Sequence, residues 1–596
     1  MSNKKAIILI VILSFILLGI SFINYNMTRP TKLNKIIASK YNAPANSSFD
    51  DQNFYNCVVD EYNSSATKEI SYTTNMSDSQ LKNINVLSCP SKNIKSTKGI
   101  EKLINLTKLS IYNNKLTSLD VSKNTKLTYI DVSLNQLTSL NLNKNVSLTE
   151  LYAYSNKLTS LYVNNNVNLI KLNVYDNQLT NLNLLSSNKL ENLIIYDNQL
   201  TSLDVSKNPN LKILNVDNNQ LTGLNLSKNI KLTTLGASSN QLTNLEINQN
   251  VNLTELYIYN NQLTNLNLPN GNKLELLSVY NNKLTGLKVN QNLNLKKLIV
   301  YNNELTSLDV NQNLNLEELS IYKNRLTDLK LPSGSANKFK VLYAYNNQLT
   351  NLDVSNNLNL TKLSVYNNKL TDLKLPSVNG NKLEVLYAYN NKLTSLDVSS
   401  NINLNELYIY DNQLIDLKLS SISSNKLEVL HAYNNQLISL DVSSNTNLKD
   451  LWIDDNKLVS LKLPSGNKIE SFSASNNQLT SLDVSNNVNL TALDVHDNPI
   501  TKLDLSYNVK LETIDVSSKE LNTLVLQNIK SLTSTILTNN VNGCPNLQSL
   551  TLGNNDKLTS VSINNSNLES IDLGVQQNLK TVIVNNNPKL SKIGLE

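Results

Sequence analysis

Apolar residues return along this chain at fixed places in a 21-residue phrase that begins at Leu106. "LTKLSIYNNKLTSLDVSKNTK" (106–126) is followed by "LTYIDVSLNQLTSLNLNKNVS" (127–147), and the phrase persists past residue 500. Numbered from Leu106, position 4 is apolar, position 6 is Ile, Val or Ala, position 11 is Leu or Ile and position 14 is Leu. Position 9 is asparagine in nineteen successive repeats, from Asn114 to Asn498. Two-residue insertions lengthen three repeats, at "LPSGSANKF", "LPSVNGNKL" and "LSSISSNKL", and a weaker 42-residue rhythm alternates "LDVSxN" turns with "LKLP…NK" turns. A fixed period of this length predicts a solenoid, in which each coil buries its apolar face against the next.

The pattern also predicts the shape of one coil. Apolar residues at positions 4 and 6 alternate as in a short half-buried strand, and Leu119 and Val121, at positions 14 and 16, predict a second. The ten residues between them leave no room for a full helix and two turns. The coil is therefore expected to be flat, with extended or 3-10 structure on its outer side. Coils stacked at about 4.8 Å make one long parallel sheet, so the fold class is a β-rich solenoid. Where the chain turns inward, the position-9 amide is placed to satisfy backbone groups left unpaired by a tight turn. Repeated in register it becomes an asparagine ladder, a structural role.

The ends depart from the phrase. "SFDDQNFYNCVVDEYN" (48–63) sets Phe54, Cys57, Val58 and Tyr62 at helical spacing behind an acidic first turn, and Ser77 and Gln80 of "SDSQL" form a capping box. Residues 49–105 are expected to cap the open end of the array, with leucine-rich repeats over 106–520. Residues 521–596 read as degenerate repeats and a C-terminal cap. Ahead of a linker (29–48), "MSNKKAIILIVILSFILLGISFINYNMT" places two lysines before an apolar run from Ala6 to Ile23. Residues 1–28 are read as a signal peptide or membrane anchor, with the body carried outside the cell.

The segment "LTKLSIYNNKL" matches LxxLxLxxNxL, the signature of leucine-rich repeats. With the short tail "TSLDVSKNTK" it resembles the 21-residue class found in bacterial surface proteins such as the internalins, internalin J among them. "GIEKLINLTKLSIYNN" (99–114) resembles the internalins' entry repeat. The resemblance covers roughly residues 85–596 and implies an extracellular binding protein with a leucine-rich repeat fold. It also implies a cysteine ladder and a wall-attachment signal, and this chain departs from both. Position 6 holds Ile111, Val132 and Ala153, and the "LPSGS" at 331–335 lacks the threonine and hydrophobic tail of such a signal and is read as a turn.

Charge narrows the partners. Lysine plus arginine exceeds aspartate plus glutamate by 53 to 47, but Lys4, Lys5, Arg29, Lys32, Lys35 and Lys40 account for the excess of six. A neutral body lacks the basic footprint of nucleic-acid binding, so no nucleic acid is expected, and a membrane is met only through the N-terminal segment. Cys57 and Cys89 stand in one small unit, either as a disulfide or as two buried thiols, and Cys544 has no evident partner. No catalytic motif occurs, and the aspartates of the "LDVS" phrase, such as Asp120, Asp204, Asp309 and Asp397, read as turn residues. With two histidines in the chain and no CxxC, neither metal nor cofactor is expected, and an enzyme is not.

The outward positions carry the signal for function. Position 7 is tyrosine in thirteen of the nineteen repeats, and nine follow without a break: Tyr259, Tyr280, Tyr301, Tyr322, Tyr345, Tyr366, Tyr389, Tyr410 and Tyr433. Position 5 adds Tyr152, Tyr257, Tyr343, Tyr387 and Tyr408. The unbroken column is expected to extend about 40 Å over the sheet. A self-stacking ladder is one reading, and a surface for an extracellular protein or glycan is the favoured one, because tyrosine keeps a polar tip in water. Binding is expected to concentrate on Tyr343, Tyr345, Tyr387, Tyr389, Tyr408, Tyr410, His431, Tyr433, Trp452 and His496, where positions 5 and 7 are jointly aromatic or carry the one tryptophan and the two histidines. Two alternatives stand beside it: a threonine column at position 12 (Thr117, Thr138, Thr159 onward) matched to ice or mineral, and a passive spacer. Nothing in the sequence indicates the oligomeric state.

Overall fold

The computed structural model describes residues 48–594, apart from 272, 335, 379, 554, 556, 565 and scattered positions between 528 and 543. The apolar run before Ser48 lies outside the described residues. Among those described, no helix is long and apolar enough to cross a membrane.

The chain winds into a parallel β-solenoid of about 23 turns with one long sheet. That sheet has 24 strands, from Val86–Ser88 to Thr581–Asn585, most of them three residues long. Coils stack in register, so that position 4 meets position 4: Leu109 faces Ile130, and Ile130 faces Leu151. The core is a continuous column of these residues and their neighbours at positions 1, 6 and 11, nearly all fully buried.

The second strand differs in detail from its expected place. It spans positions 13 to 15, as in Ser139–Asn141, while Val121 at position 16 turns into the core. Over much of the array it pairs only in couples, which explains the 42-residue rhythm. Ser307–Asp309, from an "LDV" coil, pairs with Asp328–Lys330, from an "LKL" coil, and Asn351–Asp353 pairs with Asp372–Lys374 in the same way. Across such couples Lys330 lies 3.9 Å from Asp309 and Lys462 3.0 Å from Asp441, exposed pairs that contribute little energy. Of the extended or 3-10 structure expected on the outer side, the coils show extended segments and turns; the one 3-10 helix among the described residues is Ile100–Lys102, in the entry region.

Two asparagine ladders hold the turns. At position 9, Asn135 Nδ2 donates to the carbonyls of Ile111 (3.0 Å), Val132 (3.1 Å) and Ser133 (3.1 Å), and its Oδ1 accepts from Leu116 N (3.0 Å). One amide thus serves its own turn and the coil before it. The second ladder, at position 19, was not singled out from the sequence: Asn145 is fully buried and donates to the carbonyls of Val121 (3.1 Å) and Asn124 (2.9 Å). The turn also sets position 8 in the left-handed region in all nineteen repeats, from Asn113 (φ 55) to Asp497 (φ 51). Among residues with a Cβ, asparagine and aspartate bear this conformation best, which accounts for their prevalence there.

The N-terminal end is covered by helix α1 (Gln52–Ser65). Asp51 caps it, accepting from Phe54 N at 3.0 Å, and its second oxygen accepts from Lys95 N at 2.6 Å, tying the helix to the first turn. Phe54, Tyr55, Cys57 and Val58 are buried, and the short helix α2 (Asp78–Lys82) carries the Ser77–Gln80 capping box. Cys57 and Cys89 form a disulfide that links α1 to the residue after the first strand.

Candidate functional site

Strand alternation decides which side chains look outward. In Glu406–Tyr408 and the residues after it, Leu407 and Ile409 are fully buried, while Tyr408 and Tyr410 stand half-buried on the outer face. The nine consecutive position-7 tyrosines stack face to face, with ring centroids 4.2–4.4 Å apart and planes within 13° of parallel. Tyr154, Tyr175 and Tyr196 form a shorter stack of the same kind. Each ring inside a column therefore has its faces covered and offers its edge and hydroxyl to solvent. Burial pushes the hydroxyls of Tyr175, Tyr259 and Tyr433 up to about 12, so the column is neutral and able to donate.

The position-5 column is built differently. Tyr387 and Tyr408 meet edge to face (5.0 Å, 68°), Tyr408 meets His431 likewise (4.6 Å, 70°), and His431 lies flat under Trp452 (4.3 Å, 2°). One coil in this region has Ser364 at position 5, between Tyr343 and Tyr387. There the ammonium group of Lys362, two residues earlier in the same strand, sits 5.6 Å from the Tyr343 ring and 5.5 Å from the Tyr387 ring. A cation thus fills the gap in the aromatic column.

Both columns end within one coil of each other. Tyr433 is followed at position 7 by Asp454 and Ser475, and Trp452 is followed at position 5 by Ser473 and Asp494. The loss of bulk opens a shallow cleft of about 690 Å³ in the sheet face, walled by Tyr433 and Trp452 at one end and by His496 and Asp515 at the other. The indole is held in place: its Nε1–H donates to Ser471 Oγ at 3.0 Å, and 39% of the residue is exposed. Asp454 is fixed by Ser475, whose backbone N–H and hydroxyl both donate to its Oδ1 (2.9 and 2.8 Å), and by the Ser473 hydroxyl.

At the far wall, His496 Nδ1 lies 2.6 Å from Asp494 Oδ1 and 3.9 Å from Asp515 Oδ2. Burial disfavours the imidazolium, but the hydrogen bond to Asp494 and the surrounding carboxylates outweigh it and raise His496 above the usual histidine range. Burial likewise raises Asp494. The ligand atoms of Asp494, His496 and Asp515 come within 4.8 Å of one another, a nitrogen and two oxygens suited to a divalent transition ion, although two of them are already joined in the ion pair.

Of the ten residues expected to bind, all lie on this outer face, and Tyr433, Trp452 and His496 line the cleft. His431 faces the same way but is 8% exposed, wedged between Tyr408 and Trp452 with Nε2 3.0 Å from Asp450. Its place is that of a support. Asp454, Ser473, Asp494 and Asp515 were not anticipated; the sequence signal was available in the simultaneous loss of aromatics at positions 5 and 7 after Trp452. Thr117, Thr138 and Thr159 form a single exposed file beside the turn.

No protein-family model and no curated protein sequence matches the chain. Solved structures do. The chain is similar to YopM from Yersinia enterocolitica WA-314, at 26% identity over 74% of this chain and 91% of that one, with a TM-score of 0.56. It is similar to the plant peptide hormone receptor RGFR1, solved in complex with RGF2, at 19% identity over 84% and 89% of the two chains, with a TM-score of 0.64. The functional domain of InlJ from Listeria monocytogenes, which includes a cysteine ladder, matches at 24% identity over 85% and 86%, with a TM-score of 0.40. The chain is a leucine-rich repeat solenoid, similar at low identity to bacterial and plant proteins of that fold.

Proposed function

We propose that this protein is an extracellular recognition protein that binds a large ligand along the tyrosine-lined face of its long sheet, acting as an adhesin or surface receptor. The leucine-rich repeat fold is typical of protein-binding domains. The observation that carries the finer reading is the convergence of two aromatic columns on one open cleft, with Trp452 39% exposed at its edge. Hot spots favour tryptophan and tyrosine because they bury much area with few rotors to freeze. A protein ligand is favoured over a glycan, because stacking covers the ring faces on which a sugar would lie and leaves hydroxyl edges that hydrogen-bond to a protein surface. The Cys57–Cys89 bond fits an oxidising compartment, in keeping with export by the N-terminal segment.

The test is a surface-protein pull-down run beside a glycan array with the full chain. Once a ligand is captured, Trp452→Ala and Tyr410→Ala are compared with the parent. An anchor is expected to cost about 2 kcal/mol or more in binding while the fold persists. Two variants that bind like the parent would place recognition elsewhere and leave the tyrosines as a ladder.

A further inference from the structure

Resting on the recognition reading above, we infer that the cleft beyond Trp452 receives a cationic side chain, lysine or arginine, from a basic segment of the protein ligand. The solenoid contains its own precedent. Where position 5 falls to Ser364, position 3 of that coil is Lys362, and its ammonium group occupies the gap between two aromatic rings. Where position 5 falls to Ser473, position 3 is Ser471, which accepts the indole N–H of Trp452 and brings no charge. The second gap therefore keeps an aromatic wall on one side, Trp452, and has no cation from its own coil.

What it has instead is negative charge. Asp454, Asp455, Asp494 and Asp515 line the cleft, and no lysine or arginine does. The one basic group, His496, is already paired with Asp494. The body of the chain is neutral, so this is a local excess. Asp494 stands at position 5 two coils on from Trp452, across Ser473, so an acidic and an aromatic residue flank the small one in the same file. A cation between them gains the ring quadrupole on one side and a charge-assisted hydrogen bond on the other, in a partly desolvated setting where both are stronger than in water. A neutral pyranose ring would bring no charge to balance the local excess of carboxylates.

Trp452 is the only tryptophan in the chain and reports directly. The full chain is titrated with hexalysine, and separately with maltohexaose and with zinc chloride, while the Trp452 emission is followed. Hexalysine is expected to give a saturable change. Asp494→Asn combined with Asp515→Asn should weaken it at least tenfold. Ser471→Lys, which supplies an internal cation in the manner of Lys362, should abolish it, whereas Ser471→Ala should retain it; a cooperative melt of each variant shows that it folds. A hexalysine response that survives Ser471→Lys, or a response to maltohexaose or zinc alone, overturns the inference. The two readings fail separately: if hexalysine does not bind but Tyr410→Ala still weakens the captured ligand, recognition by the tyrosine face stands and the cation site falls.

Discussion

Trp452 lies flat on His431, with ring centroids 4.3 Å apart and planes 2° from parallel. The histidine is nearly buried and held by Asp450, so the tryptophan is presented outward on a rigid base. Such a platform loses little freedom when a ligand settles on it.

Removing the base should release the platform. His431→Ala is expected to shift the Trp452 emission to the red and broaden its anisotropy decay, at a stability cost of about 1 kcal/mol. An unchanged emission would show that the Ser471 hydrogen bond alone orients the indole.

The position-9 asparagine ladder should be the costliest polar feature to break. Asn282 Nδ2 donates to the carbonyls of Ile258, Val279 and Tyr280, and its Oδ1 accepts from Leu263 N. Asn282→Ala leaves these groups unpaired in the interior and is expected to cost roughly 2–3 kcal/mol in denaturant unfolding. Exposed Thr285 of the same coil, changed to alanine, should stay within about 0.5 kcal/mol.

Leu134 is strained. It holds the left-handed conformation at φ 53 and exposes 44% of its surface, where most repeats have asparagine or aspartate. Leu134→Asn is expected to stabilise the chain by about 1 kcal/mol. A lower melting temperature would show that the leucine makes a contact worth more than the strain.

Asp217 and Ser238 interrupt the tyrosine column between Tyr196 and Tyr259, and burial pushes the Asp217 carboxyl up to about 7 against hydrogen bonds from Ser238 that favour the ionised form. The folded state therefore keeps a proton that the unfolded chain has already lost above about pH 4. Stability should decline as pH rises from there to about 7, with the full penalty above it. Asp217→Asn removes the titration, so its melting temperature should gain on the parent's more at pH 8 than at pH 4. Equal differences at both values would count against the buried charge.

The Cys57–Cys89 bond closes 32 residues of the cap. On a chain-entropy argument its reduction should cost about 3–4 kcal/mol. The loss should be local, with hydrogen exchange rising first in α1 and in the strand Val86–Ser88. Uniform exchange along the whole array would instead make the cap the lock on a single cooperative unit.

The sequence by itself determined the period, a short strand around position 4, the inward and outward faces, and the helical cap with its capping box; it left Cys57 and Cys89 open between a disulfide and two thiols. All of these follow from local pattern, because every coil repeats one backbone and alternation alone decides which side chains look out. The tertiary structure decided what lies between coils. The buried asparagines at position 19 and the coupling of "LDV" to "LKL" strands appear only when successive coils are brought into register. The same holds at the candidate site. Lys362 fills one gap in an aromatic column and nothing fills the other, His431 becomes a support under Trp452, and Asp515 joins Asp494 and His496. Each depends on which side chain stands one coil away and how it turns, and stacking, unlike alternation, is a relation between neighbours in space.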